Sequence, residues 1–173
     1  RFIGKVGELP LEEFKRRQKL YYDAEIAALK DVAQKADEYK KFVNDSTGSL
    51  CEILDEDVLR EVGEATLFVY IKASKKEEAE ILRRAEEYPK PLFYPPRQFD
   101  AWLHEYQQLF DAPNPDQIDA DEYARWVFPR LFETRLPKYE RLAEMYGVIV
   151  SSKEVHGVRS EDDFLNLIAK ALP

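Results

Sequence analysis

Thr66-Leu67-Phe68-Val69-Tyr70-Ile71 is a continuous apolar, β-rich run. A strand covered on both faces reads this way, as in a parallel sheet, whereas a half-exposed strand alternates polar and apolar residues. The run therefore predicts a central strand and, with it, a chain that must supply helices to cover that strand. Val148-Ile149-Val150 follows Gly147 at the end of a helical segment and predicts a second strand. Phe42-Val43 is a shorter strand candidate. Strands alternating with helices are the pattern of an α/β fold, here a three-layer α/β/α arrangement with a short parallel sheet and a helix-rich C-terminal half.

The helices are legible from apolar spacing. Leu9-Pro10-Leu11-Glu12-Glu13 suits a helix start, because proline is tolerated in the first turn and acids favour the positive end of the helix dipole. That helix is expected from about residue 11 to 30, with a more polar helical pattern to residue 39. Phe99, Trp102, Leu103, Tyr106 and Phe110 share one helical face, as do Phe164, Leu167, Ile168, Ala171 and Leu172. Asp119 or Asp121 caps a further helix carrying Tyr123, Trp126, Val127 and Leu131. Nothing divides the 173 residues convincingly, so one domain is expected, with a lid or insertion at about 86–126.

Composition narrows the function. Lys and Arg number 26 against 34 Asp and Glu, a net charge of −8, which disfavours a nucleic-acid surface. No apolar run approaches the roughly 20 residues that span a bilayer, so no membrane is expected. The single cysteine, Cys51, and two histidines exclude an internal disulfide and a zinc-ligand set at recognisable spacing. A reducing cytoplasm fits.

Three groups of residues carry candidate chemistry. The first is Asp45-Ser46-Thr47-Gly48-Ser49, at the carboxyl end of the first strand candidate, where open α/β sheets bind ligands. An aspartate there can hold Mg²⁺ while small neighbours let backbone N–H groups approach an anion; equally, Asp45 or Ser46 caps a turn and Gly48 relieves the backbone. The second is the helix from Ser74 through Arg83 and Arg84 to Lys90 in "EEYPKPLFYPP". Its cations either meet nucleotide phosphates and close a proline-stiffened lid or form a solvated face of i,i+4 ion pairs. The third is Arg135 in "FETRLPKYERLAEMYGVIV", either a fork for a carboxylate or phosphate or a surface arginine. Cys51 is expected to be a small core residue.

In order, these segments resemble the shikimate-kinase-like branch of the P-loop kinases over most of the chain. "IGKVGELPLEEFKRRQKLYYDAEIAAL" resembles the substrate-side segment, with Glu25 in the family's glutamate position. "FVNDSTGSL" resembles the strand and glycine-containing substrate loop, and "TLFVYIKASKKEEAEILRRAEEYPKPLFY" the next strand, the adenine-side arginine helix and the lid. "RLPKYERLAEMYGVIV" is similar to the Arg-x-Pro-Leu-Tyr helix and last strand, with Arg135, Pro137 and Tyr139 matching and Lys138 replacing leucine. "LPLEEFKRRQ", "DSTGSLCE" and "PKPLFY" also resemble phrases of a group of bacterial P-loop ATPases.

The resemblance implies an ATP- and Mg²⁺-dependent small-molecule kinase or ATPase. Asp45 would be catalytic and a Mg²⁺ ligand, Ser46, Thr47, Gly48, Ser49 and Arg135 would bind the acceptor, and Arg83, Arg84 and Lys90 would serve nucleotide or lid. It also implies a first strand and phosphate loop before Arg1, because Gly4-Lys5 is followed by valine and is no phosphate loop. The residues as given are then expected to be poor catalysts alone. Tyr21-Tyr22-Asp23-Ala24 stands where shikimate kinases carry a Phe-Arg pair, and Thr47-Gly48-Ser49 replaces a glycine triplet, so shikimate is not the expected acceptor. The alternative is a non-catalytic α/β module that binds a protein partner through an exposed aromatic and proline-rich surface at 88–102.

Overall fold

The computed structural model describes residues 3–39, 42–46, 48–53 and 55–172. It is a helix-rich α/β protein with one short parallel sheet. Its regular elements are α1 (Leu11–Glu38), α2 (Glu56–Ala65), β1 (Phe68–Lys72), α3 (Lys75–Glu87), α4 (Pro96–Leu109), α5 (Ala120–Tyr146), β2 (Gly147–Ser151), α6 (Ser152–His156) and α7 (Glu161–Ala171). Short 3-10 turns lie at Leu50–Glu52 and Pro115–Gln117. No described helix is long and apolar enough to cross a membrane.

Side chains in the flanking loops set the helix starts. Asp55 accepts from the Val58 amide at 3.1 Å at the head of α2. Ser74 and Glu77 bond reciprocally before α3, Ser151 and Glu154 do the same for α6, and Ser160 caps α7 through the Asp163 amide. For α5 the cap is Asp119, whose carboxylate accepts from the Asp121 and Glu122 amides. Each answers donors that the first helical turn leaves without an internal partner.

The chain packs as two compact units, one of residues 1–25 and 82–134, the other of residues 26–81 and 135–173. In the first, Phe14, Tyr94, Phe99, Leu103, Tyr106, Tyr123, Val127 and Leu131 form one buried cluster. Phe14 is fully buried, with its ring centroid 5.3 Å from Phe99 and 6.1 Å from Tyr94. The expected lid region, 86–126, supplies much of this core. Gly7 has φ +86, and a Cβ there would fall 1.9 Å from the Ile118 carbonyl oxygen, so only glycine serves at that turn.

In the second unit β1 and β2 pair in parallel, Phe68 opposite Gly147 through Lys72 opposite Ser151. Val148 and Val150 are buried with Ile168, and Val69, Phe164 and Leu167 pack against them, so α7 covers one face. Phe68 lies against Tyr146 and Tyr70 stacks on Tyr139, so rings from the end of α5 cover the other. Gly147 permits the pairing: a Cβ there would sit 1.8 Å from the Phe68 carbonyl oxygen.

Two expectations are corrected. Phe42-Val43 is no strand: residues 42–46 carry no regular structure, and Val43 is 86% exposed. A strand needs a partner edge and a face to bury, and a two-residue apolar run followed by Asn44, Asp45 and Ser46 offers little of either. The run at 66–71 does form a strand from Phe68 onward, but among the described residues it pairs only with β2, and Ile71 is 47% exposed.

Phe14→Ala should lower the unfolding free energy by about 3–5 kcal/mol, the usual cost of truncating an enclosed aromatic ring, measured by urea denaturation followed by circular dichroism.

Candidate functional site

Among the described residues, Glu52 is the most enclosed charged side chain of the second unit. It closes the 3-10 turn, where its amide donates to the Ser49 carbonyl at 2.8 Å, and its side chain is 1% exposed. Two cations from α5 meet it: Arg135 Nε donates to Oε1 at 3.0 Å and Lys138 Nζ donates to Oε2. One turn on, the Tyr139 hydroxyl donates to the Gly48 carbonyl. Arg135, Lys138 and Tyr139 fall at i, i+3 and i+4, the spacing that puts three side chains on one helical face. That face grips the 48–52 segment.

The position of the grip follows from the stacking. Tyr146 meets Phe68 at the start of β1 and Tyr139 meets Tyr70 further along, so α5 runs antiparallel to the strand. Arg135, one turn before Tyr139, therefore lies toward the carboxyl end of the parallel pair. Gly48 is beside it: the place of a Gly48 Cβ is 3.7 Å from Arg135 Nη1 and 3.3 Å from the Tyr139 hydroxyl. Open α/β sheets bind ligands at this end.

The two cations differ in exposure, Arg135 at 14% and Lys138 at 32%, so Lys138 lies nearer to solvent. The neutral acids of the cluster are held neutral. Burial first, and the Glu52 carboxylate second, push the Cys51 thiol up to about 11. Burial, with Cys51 beside it, pushes the Tyr139 phenol well above its ordinary value. Neither is a base or nucleophile near neutral pH. The cluster holds the 48–52 loop against α5.

Of the residues singled out in the sequence, Asp45, Ser46 and Gly48 are exposed and Ser49 is buried, all in the second unit with Arg135. Thr47 lies outside the described residues. Arg83, Arg84 and Lys90 belong to the first unit and are exposed; Arg83 pairs with Glu87 at 2.7 Å, an i,i+4 pair on the solvated face. Glu25 is half-buried on α1. Arg135, expected to meet an acceptor, spends its Nε on Glu52. Sequence reasoning passed over Glu52 itself, although an acid directly after Leu50-Cys51 carries a signal: buried charge demands partners. The surface proposed at 88–102 is corrected too. Phe93, Tyr94 and Phe99 are 6%, 3% and 3% exposed, and among the aromatic residues of that stretch only Tyr88, at 63%, is largely in solvent. Dense aromatics read as an interface in one dimension; here most of the rings are consumed by the core.

Comparison of the chain with protein-family profiles, with curated proteins and with solved structures finds no match. Its assignment rests on its own residues.

Glu52→Ala should cost about 1–3 kcal/mol of stability, because it removes the acceptor of two charge-assisted hydrogen bonds from α5, and Arg135→Met added to it should recover part of the loss in a double-mutant cycle read by urea denaturation. With its thiol pushed up to about 11, Cys51 holds roughly one thiolate in a thousand at pH 8. Ellman's reagent should therefore react slowly with the folded protein and at once when denaturant is added.

Proposed function

We propose that the chain carries the acceptor side and lid of an ATP-dependent small-molecule kinase or ATPase of the P-loop class, an α/β/α layered protein of the cytoplasm. The observation that carries this proposal is the seating of the Gly48 loop against Arg135 and Tyr139 at the carboxyl end of a parallel strand pair. The order of segments along the chain, from the 45–49 loop through β1 and the arginine helix to Arg135 and β2, supports it as well.

Asp45 is exposed, three residues before Gly48 in sequence, and would hold Mg²⁺ together with phosphate oxygens and water, since this ion commonly takes only one or two protein carboxylates beside a nucleotide. Arg135 and Lys138, cations on one face of α5, would meet the anionic group of an acceptor other than shikimate, with Ser46, Thr47, Gly48 and Ser49 shaping its surroundings. Arg83, Arg84 and Lys90 serve the nucleotide and lid. No G-x-x-x-x-G-K-[ST] sequence occurs in the 173 residues, so the lysine-bearing cradle for the phosphates is not among them. A non-catalytic role through 88–102 has less support, since its rings are largely interior.

The test uses the protein expressed from its own start codon. Calorimetric titration with Mg²⁺ and ATP should give heat, phosphate release should be measurable, and Asp45→Asn should cut kcat by about 100-fold or more while leaving the melting temperature unchanged. Absence of both heat and turnover would remove the proposal.

A further inference from the structure

The first unit contains a cavity of about 400 Å³ between α1 and the 93–100 segment, independent of the kinase proposal. Its walls are Tyr22, Phe93, Tyr94, Pro96 and Phe99. The rings are set by their own packing: Tyr22 lies nearly parallel to Phe93 at 6.3 Å, and Tyr94 and Phe99 are 5.4 Å apart. Gln18, 8% exposed, ties the two sides together, its amide nitrogen donating to the Leu92 carbonyl at 3.0 Å and its oxygen accepting from the Tyr94 amide at 2.9 Å. The amide in the wall is thus committed to the backbone, and the cavity shape does not wait on a ligand. Small-molecule sites span about 300–1,000 Å³, with mostly apolar and aromatic walls, and this cavity is at the lower end of that range.

Charge decides the class of ligand. The mouth carries Lys15 paired with Asp100 at 2.9 Å and Lys19 paired with Asp23 at 2.7 Å, which sum to zero. Both pairs are exposed, so each is weak, yet each cation and anion already faces its opposite. A charged ligand would enter an apolar, aromatic chamber, where an ion without a partner is strongly disfavoured, and to gain a partner at the mouth it must break a pair. An uncharged ring system leaves both pairs in place and gains the full apolar contact.

We propose that this cavity is a binding site for a small, uncharged, ring-bearing molecule. The test compares two fluorescent probes of one skeleton that differ by a sulfonate: N-phenyl-1-naphthylamine, uncharged, and 1-anilinonaphthalene-8-sulfonate, anionic. Titrated into the full chain, the uncharged probe should show a saturable, one-to-one fluorescence rise with a Kd at least about tenfold below that of the anionic probe. Lys19→Trp and Pro96→Trp, which fill the mouth from α1 and from α4 at exposed positions, should each weaken it by about tenfold or more, with the circular dichroism of the folded protein retained. Leu165→Trp, exposed on α7 in the other unit, should leave it as it was. No saturable rise, equal affinity for the two probes, or binding indifferent to both mouth-filling variants would each overturn the proposal.

Discussion

A carboxylate withdrawn from water has to be met by positive charge and by donors, and Glu52 is withdrawn almost completely. That requirement organises the 48–52 segment of the second unit. Glu52 closes a single 3-10 turn, so whatever answers it also holds the residues just before it. Arg135 and Lys138 answer it from one face of α5, and Tyr139 on the same face takes the Gly48 carbonyl. The 48–52 segment is therefore docked by electrostatics at one end and a neutral hydrogen bond at the other. Because Tyr139 also stacks on Tyr70, the grip is indexed to β1, and the Gly48 side of the loop comes to rest toward the carboxyl end of the parallel pair. A buried ion cluster of this kind does little for net stability compared with an apolar core, but it penalises every arrangement in which the partners are apart.

The first unit relies on a different economy. Its interior is largely rings: Phe14, Tyr94, Phe99, Tyr106 and Tyr123 lie within one buried cluster. Large aromatic side chains let a small unit bury much apolar area with few residues, and rigid rings interdigitate imperfectly, so a chamber can persist between them. The proline-rich stretch before α4 acts with them. Pro95 and Pro96 set the entry to the helix, and Gln18 fastens the segment just before them to α1.

Much of the architecture was readable from local pattern. The strands at β1 and β2, the caps at Ser74 and Asp119 and the apolar faces of α4, α5 and α7 follow from period, propensity and turn chemistry within a few residues of chain. The errors share one cause. Phe42-Val43 has the composition of a strand but finds no pairing edge among the described residues, and the aromatic stretch at 88–102 has the composition of an interface but lies largely inside. Composition reports what a side chain can do; burial is a property of the neighbours. Glu52 was missed for the same reason, since an isolated acid in a sequence is exposed by default.

Residue order by itself determined that this is an α/β chain with few strands and long amphipathic helices, and that it holds no zinc-spaced cysteines or histidines. These are consequences of backbone period and side-chain chemistry over short separations. Only the tertiary structure decided that Arg135 and Lys138 close on Glu52, 83 and 86 residues away in sequence, that β1 pairs with β2, and that Tyr22 meets Phe93 across an aromatic chamber. Contacts of that separation depend on where whole helices come to lie, and that is settled by the summed burial of many side chains, which no local window of sequence contains.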